Sequence, residues 1–126
     1  MKPSFDAETL RLLDETREVR IETRRDDHSP EHRTIIWVVV VEGEAFVRSL
    51  RGTRGRWYRE ISSNPEGALH VQDGRLPVQA AHATEGAIVD EVSAAFRSKY
   101  QQSSPASTEA MVRLETLPTT LKLSPA

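Results

Sequence analysis

Eight consecutive residues, Thr34–Val41 (TIIWVVVV), constrain this chain more than any other stretch. Nearly all are β-branched or aromatic, and no polar residue alternates with them. Branched side chains are stiff and favour extended backbone. With no polar face, such a strand is expected to be buried on both sides, inside a closed sheet or under a subunit interface. Trp37 is either a core ring, the default for a buried indole, or a ring that stacks on a ligand. Ile35 to Val41 falls far short of the roughly 20 apolar residues that span a bilayer.

The flanking sequence supplies partners for that strand. Glu42-Gly43-Glu44 is a short turn, so Ala45–Leu50 is expected to pair back as a hairpin. Its alternation puts Phe46, Arg48 and Leu50 on one face and Val47, Ser49 and Arg51 on the other. Upstream, Glu18–Thr23 alternates through Val19 and Ile21 and reads as a first strand. Residues 1–17 carry an N-terminal helix over 5–15, capped by Asp6, with Leu10 and Leu13 on its apolar face. Arg24–Arg33 is a polar loop. His28 and His32 stand four apart, but Pro30 between them breaks any helix that would align them, so they are expected to be solvated loop histidines and no metal is expected.

Downstream, Arg56 to Ser63 is expected to form a short helix, stopped by Asn64-Pro65. Ala68–Gln72 and Leu76–Ala83 make a second hairpin about Asp73-Gly74. Thr84 is expected to cap a helix from Glu85 to Tyr100, with Ile88, Val92, Phe96 and Tyr100 as its packing stripe. Residues 101–117 read as a polar linker with room for one helical turn near Glu109, and Thr119–Leu123 as the last strand. Six short strands joined by tight turns are antiparallel, and closing them into a small barrel removes their exposed edges. The expectation is an α+β fold, a six-stranded antiparallel barrel with flanking helices, in one domain over residues 1–126.

The chemistry concentrates after the central hairpin. Arg48, Arg51, Arg54, Arg56 and Arg59 crowd into VRSLRGTRGRWYRE, with Gly52 and Gly55 between them. Guanidinium groups grip phosphate through paired hydrogen bonds, glycines let backbone amides approach an anion, and a helix N-terminus adds partial positive charge. The cluster therefore points to a phosphate-bearing ligand. The alternative is a solvated turn paired to Glu42, Glu44 or Glu60. The net charge is only −2, so the basic cluster is local. Single-stranded nucleic acid, which arginine mixed with aromatics can bind, is the weaker reading. With no cysteine, disulfides, thiol nucleophiles and Cys-based zinc sites are excluded. The N-terminus lacks an apolar signal core, and a cytoplasmic protein is expected.

From Arg48 to Val71 the order of residues resembles the split-barrel flavin- and deazaflavin-binding proteins, most of all the deazaflavin-dependent nitroreductase branch. The resemblance is carried by Ser49, Arg51-Gly52, Arg54-Gly55, Trp57-Tyr58, Asn64-Pro65 and the strand Ala68 to Val71. The chain as a whole also resembles a small bacterial family of uncharacterised function within that fold. The resemblance implies a homodimer with FMN or the deazaflavin coenzyme at the subunit interface. It implies that Ser49, Arg51 and Arg54 match phosphate-binding positions and that Thr34 to Val38 passes along the ring system. Arg48, Gly52, Arg56, Trp57, Thr34 and Trp37 complete the expected binding set. Arg51 stands where lysine is usual, and the loop lacks the usual double glycine, which leaves the choice of cofactor open. Two function classes follow: an oxidoreductase passing hydride to a small acceptor, with Tyr58 and His70 as candidate proton donors, or a binding module without turnover that holds a flavin, haem or phosphorylated metabolite.

Overall fold

The computed structural model describes residues 4–126. Helix α1 (Ala7–Glu15) begins as its sequence dictates: Asp6 Oδ1 accepts from the Thr9 N–H at 2.8 Å, and Leu13 is buried. Seven strands follow, β1 (Val19–Thr23), β2 (His32–Ile36), β3 (Val39–Val41), β4 (Glu44–Val47), β5 (Glu66–Val71), β6 (Gly74–His82) and β7 (Leu121–Pro125). Helix α2 (Arg56–Ser63) connects the β4 end to β5, and α3 (Gly86–Tyr100) and α4 (Pro105–Met111) lie between β6 and β7. The strands form one antiparallel sheet in the order β2-β1-β5-β6-β7-β4-β3.

The two ends of that order, β2 and β3, are joined by only Trp37-Val38. The sheet therefore closes through a single bent segment, and the fold is an α+β antiparallel split barrel. Thr34–Val41 is accordingly not one strand buried on both faces. Its first half pairs with β1 and its second with β4, and Ile35 is 61% exposed. Closure is the physical reason, because a strand that belongs to both edges must turn from one to the other. The bend frees the Val38 carbonyl, which accepts from Lys99 Nζ at 2.7 Å and from the Tyr100 hydroxyl at 3.3 Å. Trp37 stacks on Tyr100 at 3.9 Å between centroids and 3° between planes. The six expected strands thus become seven.

Two cores result. Inside the barrel, Ile21, Val38, Val47, Leu69, Val78 and Leu123 pack with α1 and with Trp57, Tyr58 and Ile61 of α2. Outside it, Trp37, Val39 and Phe46 pack under Val92, Phe96 and Tyr100 of α3 and Met111 of α4. The first hairpin turns at Glu42 and Gly43, both left-handed (φ 50° and 77°), as the tight two-residue turn requires. In the second, Val71 pairs with Gly74, so the turn is Gln72-Asp73 and not Asp73-Gly74. The inward pair Leu69–Leu76 sets that register.

Thr84 does not cap α3. Ala83 N–H still donates to the Thr120 carbonyl at 2.9 Å, and Glu85 becomes the cap residue. The stretch 101–117, expected as a linker, instead holds α4 and most of a 3-10 turn at Leu114–Thr119. Its polarity is misleading because its threonines bond to backbone: Thr108 Oγ1 to Ser104 O at 2.8 Å, Thr116 Oγ1 to Met111 O at 2.6 Å and Thr119 Oγ1 to Thr116 O at 2.6 Å. Each of these threonines is buried.

Candidate functional site

Strand β4 ends at Val47, and the next residues are locked from behind. Ser49 N–H donates to Thr119 Oγ1 at 3.0 Å, and the Ser49 carbonyl accepts from Gly52 N–H at 2.9 Å. The Ser49 hydroxyl is buried and has no hydrogen-bond partner among the described residues. Buried polar atoms are normally paired, so this exception asks for an explanation. Gly55 passes directly over it: a Cβ there would lie 2.4 Å from Ser49 Oγ. Gly55 is also the cap residue of α2 and offers no side chain to the first helical turn. Among the described residues nothing accepts from the N–H groups of Arg56, Trp57 and Tyr58.

These features border a cavity of about 440 Å3 lined by Thr34, Ser49, Arg51, Gly55, Arg56 and Trp57. Arg51 also faces an adjoining cavity of about 630 Å3, with Gly52, Arg54, Arg113 and Glu115. Gly52 takes φ +65°, and a Cβ there would lie 3.2 Å from the Glu115 carbonyl oxygen. Among the described residues, no carboxylate pairs with Arg51, Arg54 or Arg56. Glu60 is held by Thr23 at 2.8 Å and His32 at 3.0 Å, and Glu44 by Lys122 at 3.1 Å. His32 is thus tied to a buried carboxylate rather than solvated in a loop, while His28 is exposed.

Arg48 turns the other way. It is 1% exposed, and it donates to Thr120 Oγ1, Ser93 Oγ and the Val89 carbonyl, each at 2.8 Å. Burial first, then the nearby Arg97 charge, push its pKa down to about 10, with Asp90 opposing. Arg48 and Trp37 border a third cavity of about 300 Å3, with Ile36, Trp57, Ser107 and Met111. It shares Ile35, Leu50 and Trp57 with the Ser49 cavity. The expected binding set is therefore divided. Thr34, Ser49, Arg51, Arg56 and Trp57 share one cavity, Gly52 and Arg54 line the next, and Arg48 and Trp37 line the third.

The two candidate proton donors lie elsewhere. The Tyr58 hydroxyl is 2.7 Å from His82 Nε2. His70 Nε2 is 2.8 Å from Glu22 Oε1, and Arg75 grips the same carboxylate with two bonds. Arg75, then His70, hold the Glu22 pKa down to about 2 against the opposing effect of burial. Glu22, Glu31 and His70 bring ligand atoms within 4.8 Å of one another, but the Arg75 fork already neutralises Glu22. Trp57 and Tyr58 are both buried, so the arginine loop offers no exposed ring on which a base could stack. Sequence reasoning placed Gly55 in the glycine-broken loop but left it out of the expected binding set. It also missed Met111 and Arg113, hidden in the apparent linker; the run of threonines from Thr108 to Thr120 was the available signal that this stretch is packed.

Solved structures share the fold. HutZ of Vibrio cholerae, described as a heme storage protein, superposes with a TM-score of 0.65 at 14% identity, over 98% of this chain and 91% of its own. An F420-H2 dependent reductase, FDR-A, gives 0.63 at 16% identity, over 85% and 93%. A putative pyridoxamine 5'-phosphate oxidase from Listeria innocua gives 0.60 at 12%, over 94% and 90%. No curated protein matches the chain in sequence. Among the described residues no helix is long and apolar enough to cross a membrane. Residues 9–123 match one family throughout, and the chain belongs to it: the family described as "Uncharacterized protein conserved in bacteria (DUF2255)".

Proposed function

We propose that this chain binds a phosphate-bearing flavin-type cofactor, FMN or a deazaflavin coenzyme, with its phosphate in the cavity at Ser49. The buried Ser49 hydroxyl without a partner carries the reading. Around it stand what a phosphate needs: an uncapped helix start, and the unpaired guanidinium groups of Arg51 and Arg56. Gly55 leaves room for the Ser49 hydroxyl, which lies where a Cβ would stand. Thr34 adds a hydroxyl, and Ile35, Leu50 and Trp57 give the ring system apolar walls. The names of the fold neighbours, an F420-H2 dependent reductase and a putative pyridoxamine phosphate oxidase, support a cofactor of this kind.

Once bound, such a cofactor supplies hydride chemistry of its own. This chain's residues position it and hold its negative charge. Arg48 acts from behind, fixing β4 and β7 to α3. A carrier or sensor without turnover is the second reading. It is favoured by one observation: Tyr58 and His70, the candidate proton donors, are bonded to His82 and Glu22 and border neither the Ser49 cavity nor the one behind it. A second copy of the chain is proposed to cover Ile35, 61% exposed, and Leu50, 46% exposed, which rim both of those cavities.

Titration with FMN, and separately with the deazaflavin coenzyme, followed by ring fluorescence, tests the reading. Saturable binding of one is expected, weakened about ten- to a hundredfold in each of Arg51→Ala and Arg56→Ala, the value of a charge-assisted hydrogen bond. Unchanged affinity in both variants would defeat the assignment. Oxidation of the bound reduced cofactor by an acceptor would then separate an enzyme from a carrier.

A further inference from the structure

The cavity of about 300 Å3 behind Trp57 is bordered by Arg48, a buried cation that forms no ion pair among the described residues, Asp90 acting on it only from beyond salt-bridge distance. Its three hydrogen bonds all go to neutral acceptors, two hydroxyls and one carbonyl. A guanidinium carries five N–H groups, so two remain without an acceptor among the described residues. No carboxylate of the described residues pairs with it. Buried charges are normally paired, and an unpaired one in a low-dielectric site strongly favours an arriving anion. The walls are Ile36, Trp37, Trp57 and Met111. At the mouth, Arg17 donates to the hydroxyls of Ser103 and Ser104, and Glu18 lies beside it. Arg17 thus offsets the one acid on the rim. The volume is at the small end of the range for ligand pockets, about 300–1,000 Å3.

We infer that this cavity is a second ligand site, taking a small organic anion: a carboxylate on an aromatic or branched apolar body, seated on the free N–H groups of Arg48. The inference goes beyond the cofactor reading and does not depend on it. Because the two cavities share Ile35, Leu50 and Trp57, the two ligands would lie side by side, as a cofactor and its acceptor must.

Trp37 and Trp57 line the cavity, so intrinsic tryptophan fluorescence reports its occupancy. The probes are benzoate and its neutral isostere benzamide. Benzoate should bind saturably, and benzamide at least about tenfold more weakly, since it lacks the charge that Arg48 selects. Ser107→Phe, an exposed position on the cavity wall, should block benzoate without unfolding the protein. Arg48→Gln should abolish the preference for benzoate over benzamide, and thermal melting shows whether that variant is folded; if it is not, Ser107→Phe decides. Arg51→Ala should leave benzoate affinity unchanged while weakening FMN or deazaflavin binding. Equal affinity for the two probes, no benzoate binding, or benzoate binding indifferent to Ser107→Phe would overturn the inference. In each of those cases the phosphate site would stand or fall on the Arg51→Ala cofactor titration alone.

Discussion

Ser49 and Gly55 are in close contact at the start of the arginine loop, where the phosphate is proposed to sit. Gly55→Ala would drive a Cβ to 2.4 Å from Ser49 Oγ, and the serine cannot retreat because its backbone is pinned to Thr119 and Gly52. The variant is expected to lose cofactor binding and some stability. Gly55→Ala combined with Ser49→Gly should regain the stability but not the affinity, which paired melting and titration would show. The arginine cluster was legible in the sequence, and so was the sharing of one face by Phe46 and Arg48, since both do meet α3. The partners of Arg48 were not legible. They lie more than forty residues away on elements whose docking only the fold determines. A second residue-scale expectation concerns Glu22. Its folded pKa, about 2, lies below its ordinary 4.5. Its contribution to stability is therefore complete above 4.5 and is lost as pH falls from there toward 2. Urea midpoints should drop across that window in the native protein and drop less in Glu22→Gln.

At the scale of elements, the bend between β2 and β3 organises both cores. Tyr100 holds it through hydroxyl bonds to the carbonyls of Arg17, at 2.7 Å, and Val38. Tyr100→Phe is expected to cost about 1 kcal/mol, the usual net value of a hydrogen bond, read as a lower melting temperature. Trp57→Ala should cost more, about 3–5 kcal/mol, because the ring is buried in the barrel and packs edge-on to Tyr58 at 6.4 Å. Most elements were readable from alternation and turn residues. The bend was not, because the residues on either side of Trp37 are all apolar and carry no mark of where one edge of the sheet gives way to the other. Helix α4 was hidden for the opposite reason: it packs through Thr108, whose hydroxyl bonds to backbone, and Met111 alone, so its burial leaves no apolar stripe.

For the whole molecule, exposed Ile35 and Leu50 frame the mouths of two adjoining cavities, one bearing Arg51 and Arg56 and the other bearing Trp37 and Arg48. If a second copy covers them, Ile35→Glu should shift the sedimentation of the protein to the monomer and weaken cofactor binding together; a monomeric native protein would remove the second copy from the account. The barrel, its antiparallel strands and the clustering of arginines after β4 followed from the sequence, whereas the division of those arginines among three cavities did not. The most direct test of the central assignment compares a phosphorylated cofactor with its dephosphorylated form, FMN with riboflavin or the deazaflavin coenzyme with its dephospho core. In the native protein the phosphorylated form should bind about ten- to a hundredfold more tightly, a preference that Arg51→Ala and Ser49→Ala largely erase. Equal affinity for the two forms in the native protein would contradict a phosphate at Ser49.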